Sequence, residues 1–367
     1  MRLIRRAILR LAADRRWRLV GLSTPKCIIA AASLAAATIT TAPNIGYADE
    51  GGISFWLPGL FGSLAAAPQV PGWAVGIVYY HTSVSAEGDV AAAREVIIGR
   101  LSPTINVNLN LDLKATADLV VVDPGYTFAT QVFGGQFNIN VAGFFGRETG
   151  QINGTLTATS GPFVATSQGS ISDSLTSVGD LIPQMSLRWN SGVNNWMVYG
   201  MGDVPVGNYN SANLANLGLG HGAADVGAGY TYFDQKAGHE FSIVTGFTYN
   251  LLNSSIGYQN GVDWHVDWGA SQFVTKQLQL GVVGYFFQQI TPDIGASAFL
   301  GANESRVAGI GPQIGYLFPV GNLQGYINLK GYWEFAAENR ASGWNTWLTL
   351  SLSPSAAASA PKAMLTK

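Results

Sequence analysis

The chain has 367 residues, of which 47% are hydrophobic and only 11% charged, with 45 glycines and 11% aromatics. A soluble protein carries about 25% charged residues, so much of this surface is expected to meet something other than water. The formal net charge of −2 offers no basic surface for nucleic acid, which is held through clustered Lys and Arg.

Met1–Lys26 carries seven Arg and one Lys, Cys27–Ala42 is an apolar run, and Gly46-Tyr47-Ala48 is a small-x-small site followed by Asp49-Glu50. That order predicts a secretory signal peptide over residues 1–48. The apolar run is shorter than the ~20 residues a helical membrane span needs. Cys27 is the only cysteine. It leaves with the signal, so the mature chain is expected to have no disulfide, no cysteine metal site and no thiol catalysis. Cleavage also removes eight basic residues and Asp14, leaving 12 Lys+Arg against 21 Asp+Glu, a net charge of −9.

Residues 49–71, with Phe55-Trp56-Leu57-Pro58-Gly59 and an Ala-rich stretch, read as a pre-barrel extension or lumen plug. Strands are then expected near Trp73–Val84, Thr104–Val122 and Gly125–Gly146, with Asp123-Pro124-Gly125 as the middle turn, and Gly150–Gly179 reads as a large external loop, either irregular or with its own hairpin. From Leu181 to Ser353 nine further strands follow. In Glu240–Asn250, Phe241, Ile243, Thr245, Phe247 and Tyr249 alternate with Glu240, Ser242, Val244, Gly246, Thr248 and Asn250. Leu323–Phe335 alternates more regularly still. A period of two sends successive side chains to opposite faces of a sheet.

Connections from Leu181 onward are alternately short (Ser191–Asn195, Lys236–His239, Thr275–Gln277, Val320–Asn322) and long (Val206–Gly220, Asn253–Val262, Thr291–Ser305, Glu338–Gly343). That rhythm is the one of outer-membrane barrels, whose periplasmic turns are short and external loops long. Together these features predict an all-β fold, a transmembrane antiparallel up-and-down β-barrel over residues 72–353. About 12 strands are expected, with ten or fourteen also compatible. Residues 354–367 read as a disordered periplasmic tail. The expected location is the outer membrane of a Gram-negative bacterium.

Gly179-Asp180-x-x-Pro183, Leu187-Arg188-Trp189, Pro205-x-Gly207-x-Tyr209, Asn216-Leu217-Gly218, Gly229-Tyr230-Thr231-Tyr232, Tyr258-Gln259-Asn260-Gly261, Gly311-Pro312-Gln313-Ile314-Gly315-Tyr316 and Glu338-Asn339-Arg340 resemble, in that order, the phenol meta-pathway degradation family. The resemblance implies an outer-membrane β-barrel transporter that takes up aromatic or other hydrophobic molecules.

The alternation points Asp225, Asp263, His265, Asp267, Lys330 and Glu334 to the lumen, with the aromatics Tyr285, Phe287, Tyr326 and Tyr332. Ionisable groups inside a membrane span persist when paired or wet, and usually line a pathway. They could equally form an ion network that fills a narrow lumen. The aromatics could stack on an aromatic solute or pack the lumen. Gln288, Gln289, Asp293, Glu338 and Arg340 fall where strands meet external loops, as a gate at the mouth or as solvated loop residues. One His among carboxylates is poor transition-metal chemistry, so no metal and no cofactor are expected. The expected partners are outer-membrane lipid, the barrel-assembly machinery and a small hydrophobic or aromatic solute. Two other readings stay open: a structural or adhesive barrel, and a phospholipase-like enzyme built on His81-Thr82-Ser83. An enzyme is not the expected reading, because no other Ser/His pairing suggests a triad.

Overall fold

The computed structural model describes residues 18–19, 54–90, 96–97, 104–160, 163–295 and 304–355. Most of the expected signal (1–48) and most of the expected tail (354–367) lie outside the described residues. Twelve antiparallel strands carry the fold: β1 (Gly72–Val90), β2 (Thr104–Val132), β3 (Gly135–Ser160), β4 (Phe163–Ser191), β5 (Asn194–Asp203), β6 (Ala223–Asp234), β7 (His239–Asn250), β8 (Asp263–Phe273), β9 (Leu278–Gln289), β10 (Arg306–Val320), β11 (Leu323–Glu338) and β12 (Ser342–Pro354). Each pairs with its neighbours in sequence. β12 then pairs with β1, Leu350 opposite Ile77, and closes the sheet. Closure pairs every strand on both sides over the part that crosses the lipid, which a hydrocarbon surrounding requires, while the first half of β4 runs on past its pairing with β5, which begins at Gln184. Short pairings flank the barrel: Val96–Ile97 along the start of β2, Arg18–Leu19 beside Ser167 and Gln168, and Tyr258–Gln259 with Ile294–Gly295.

Burial decides which face meets what. Along β7 the pattern alternates strictly, and the buried positions are Glu240, Ser242, Val244, Gly246, Thr248 and Asn250, while Phe241, Ile243, Phe247 and Tyr249 are exposed. In a water-soluble sandwich the apolar positions would be the buried ones. Here the polar face is enclosed and the apolar face forms the outside, as in a barrel whose wall is solvated by lipid. Trp264, Val266, Leu278, Leu280, Leu323, Ile327, Leu329, Leu348 and Leu350 occupy the outer positions of their strands, opposite in phase to the buried Asp263, His265, Asp267, Gln279, Asn328, Lys330 and Trp347.

Twelve strands are found, with one expected turn in the wrong place. β2 runs through Asp123-Pro124-Gly125 without reversing, and Pro124 lies opposite Val75 on an outward position. Proline is a turn signal because it lacks a ladder donor, but pairing on either side carries the strand past it. The reversal comes at Phe133-Gly134, where both residues have positive φ (49° and 70°), the geometry that suits a two-residue hairpin. Gly150–Gly179 is a hairpin and not an irregular loop. β3 and β4 stay paired up to Ser160 opposite Phe163. Outward residues past Phe145 are polar (Arg147, Thr149, Gln151, Asn153), so this part of the hairpin stands beyond the lipid band. The inward face mixes the buried Ile152 with Glu148 and glycines, so no clean hydrophobic period results and composition alone suggests a loop.

Candidate functional site

Residues 54–71 lie inside the barrel, against inward side chains from β2 to β11. A single turn of this segment is held from two sides. On one side, Asp267 of β8 accepts the backbone N–H of Gly59 at Oδ1 (3.0 Å) and of Phe61 at Oδ2 (3.0 Å). On the other, Lys330 Nζ of β11 donates to the carbonyls of Gly59 (2.5 Å), Leu60 (3.1 Å) and Phe61 (3.1 Å). Both side chains are buried. Charged hydrogen bonds of this kind contribute about 1.5–3 kcal/mol each. Further along, Leu64 N donates to Glu240 Oε1 (2.9 Å), Ala66 N to Thr231 Oγ1 (3.0 Å) and Gln313 Nε2 to Ser63 Oγ (2.6 Å), and Gln69 exchanges bonds with Gln136.

His265 and Asp225 lie under the aromatic part of the segment. His265 Nε2 is 2.8 Å from Asp225 Oδ2, and Thr248 Oγ1 donates to the same oxygen at 2.6 Å. Trp56 stacks on the His265 ring with centroids 3.5 Å apart and planes 13° apart, and Phe61 packs against Tyr199. Tyr199 (β5), Gly227 (β6), Gly246 (β7) and His265 (β8) form one cross-strand row. The two glycines leave a floor on which the Tyr199 hydroxyl lies; a Cβ at either would press into it. Asp263 accepts from Asn250 Nδ2 (2.9 Å).

The wall opposite carries the aromatics. Tyr285 OH donates to Glu334 Oε1 (2.8 Å) and accepts from Asn345 Nδ2 (3.0 Å). Tyr332 lies 4.8 Å from the Tyr285 ring. Tyr326 OH donates to Gln279 Oε1 (2.6 Å), away from the segment. Phe287 is fully buried beneath the Arg340 guanidinium, 5.2 Å from its ring.

The residues expected at the mouth do not form one group. Gln289 Nε2 donates to Asp293 Oδ1 (2.6 Å), and Asp293 also accepts from Tyr258 OH (2.5 Å) and Gly261 N (3.1 Å), which fastens two external loops together. Glu338 pairs with Arg306, Arg340 covers Phe287, and Gln288 occupies an outward-phase position at the rim. His81, the centre of the phospholipase reading, is on the outer face, with Nδ1 2.7 Å from Asp118 Oδ1, an oxygen that also accepts from Tyr79 OH (2.6 Å).

Several contributors escape sequence reasoning. Glu240, Thr231, Gln313 and Arg188 hold the inserted segment, and alternation had already put Glu240 on the inner face. On the extracellular side, three carboxylates take backbone N–H groups of residues 204–222. Glu148 accepts from Asn216 (3.1 Å), Asp173 from Leu214 (3.1 Å), and Asp180 from Gly207 (2.7 Å) and Leu219 (2.7 Å). Glu148 stands on the part of β3 beyond the lipid band. Burial, reinforced by the nearby Asp173 charge and opposed by the Asn216 N–H, pushes its carboxyl up to about 7.

A closed twelve-strand barrel with lipid-facing apolar residues and a polar, occupied lumen is the architecture of an outer-membrane β-barrel protein. The family model described as MetA-pathway of phenol degradation matches residues 102–350, and the chain belongs to that family. Among solved structures, an outer membrane channel from Pseudomonas putida F1 is similar, with 16% identity over 79% of this chain and 97% of that one and a TM-score of 0.56. At that identity the likeness concerns the fold. A Pseudomonas aeruginosa FadL homologue aligns over 85% of this chain and 98% of its own at 9% identity, with a TM-score of 0.39. No functionally curated protein matches the sequence.

Proposed function

We propose that this protein is an outer-membrane channel that admits small hydrophobic molecules, aromatic ones included, with residues 54–71 as its closing element. The observation that carries this reading is the hold of Asp267 and Lys330 on the turn Gly59–Phe61. The segment is bound mainly through its backbone by side chains that alternation already sends inward, so it can leave and return without dismantling the wall. Its apolar side chains, Trp56 and Phe61, line the space they fill together with Tyr199. Family membership and the channel activity stated for the Pseudomonas putida relative support the same reading.

On this view residues 1–48 are removed on export, and the barrel-assembly machinery and outer-membrane lipid receive the unfolded chain. We read the protein as a channel and assign it no reaction. The test is expression of the full chain in a Gram-negative host depleted of its own porins. The expected outcome is an N-terminus at Asp49, fractionation with the outer membrane, and faster influx of toluene and phenol than in the empty host. A folded barrel that conducts no ions in planar bilayers and passes no solute would leave the structural or adhesive reading in its place.

A further inference from the structure

Tyr285 occupies the lumen as a phenolic solute would. Its ring lies across Gly309, in the cross-strand row Tyr285 (β9), Gly309 (β10), Glu334 (β11). A Cβ at Gly309 would overlap that ring, and Gly59 of the inserted segment lies close to its Cδ1 and to the Tyr332 ring. Neighbouring strands are about 4.8 Å apart, so only a side chain lying flat over a glycine spans from β9 to the carboxylate on β11. The hydroxyl then meets one acceptor, Glu334 Oε1, and one donor, Asn345 Nδ2. Both partners are held in place from behind. Gly343 N donates to Glu334 Oε2 (2.8 Å), and Trp347 Nε1 donates to Asn345 Oδ1 (3.0 Å). Tyr332 supplies an aromatic wall. One acceptor, one donor and a ring-sized apolar slot complement an aryl hydroxyl. An aromatic hydrocarbon would fill the slot and leave both polar groups unpaired.

We propose that Glu334 and Asn345 form a hydroxyl-reading subsite for aromatic solutes, and that the Tyr285 phenol is its resident occupant, displaced by a solute in transit. The inward positions of β11 run Lys330, Tyr332, Glu334 towards the external end. A solute from outside therefore meets the subsite before the clamp on the inserted segment. The proposal rests on the channel reading, yet its test needs binding alone.

Tyr285→Ala removes the atoms of one phenol. The purified variant and parent are titrated with phenol and with toluene by calorimetry. Phenol is expected to bind the variant at least ten-fold more tightly than the parent, and at least ten-fold more tightly than toluene. Adding Glu334→Leu and Asn345→Leu, which removes the acceptor and the donor, should erase that preference. Tyr285→Phe keeps the ring volume and safeguards the test if the alanine variant does not fold; phenol should raise its melting temperature and toluene should not. Equal effects of phenol and toluene in either folded variant, or a phenol preference that survives loss of both partners, would overturn the subsite. A barrel with the expected binding but no solute flux would instead sink the channel reading.

Discussion

Asp267 and Lys330 satisfy each other's buried charge through a third party: the carboxylate takes the N–H groups of Gly59 and Phe61, and the ammonium takes the carbonyls of Gly59, Leu60 and Phe61. The inserted turn is therefore part of the electrostatics of the wall. Moving it strands two opposite charges in a confined space, where they interact more strongly than in water.

Lys330→Met should loosen that turn and leave Asp267 without its counter-charge. Removing one member of a buried charged set costs about 3–5 kcal/mol. Channel openings should become more frequent, and cation preference should rise. Glu334→Gln removes a negative charge nearer the mouth and should shift selectivity the other way. Reversal potentials in a salt gradient measure both. Two folded variants that match the parent would mean that the lumen group only fills space.

Ser63 Oγ of the inserted segment lies 3.5 Å from Ser271 Oγ of β8, close enough for a disulfide after modest adjustment. The Ser63→Cys/Ser271→Cys variant should lose conductance and hydrophobic-solute influx when oxidised and regain both on reduction. The proposed mature chain offers no competing thiol, since Cys27 is the sole cysteine. Unchanged flux in a protein shown by mass to be cross-linked would rule out movement of this segment as the gate.

Leu329 is 47% exposed on the outer face and Asn328, its neighbour, 6% exposed on the inner one. Leu329→Arg should destabilise the barrel by about 2–4 kcal/mol, the range for a cation near mid-membrane. Urea unfolding in lipid vesicles reads this out. A neutral Leu329→Arg together with a damaging Asn328→Leu would mean that the faces have been assigned the wrong way round.

Glu148 titrates near 7 when residues 204–222 are docked, against about 4.3 for a free glutamate. Between those values the docked state binds a proton that the undocked state does not. By linkage, docking is then most favourable at the acid end and weakens as pH rises towards 7. Hydrogen exchange at the Leu214 and Asn216 amides, corrected for the intrinsic rate, should show more protection at pH 5 than at pH 8. Glu148→Gln keeps an acceptor for Asn216 and should flatten the difference. If parent and variant show the same pH slope, another group is responsible.

The sequence by itself determined the barrel and its inside and outside, and it bounded the strand number between ten and fourteen. Alternation is a local property: once Leu329 faces lipid, Asn328 and Lys330 must face the lumen, and this holds for β6 to β12 without knowledge of any partner strand. The same rule failed where it had no contrast to read. Beyond Phe145 the outward face of β3 is polar and its buried inward face mixes Glu148 and Ile152 with glycines, so the sequence there carried no apolar–polar contrast. At Pro124 a local turn signal was overridden by pairing with two neighbouring strands.

Only the tertiary structure decided which inward residues meet. Asp267 and Lys330 are 63 positions apart and share no strand pair. What unites them is the turn at Gly59–Phe61, which reaches both because the closed sheet encloses it. The Tyr285–Glu334 contact likewise depends on register, which places Gly309 between them. The period of two states that a side chain points inward. How far it reaches, and over what, depends on the residue opposite, and that is settled when the sheet closes.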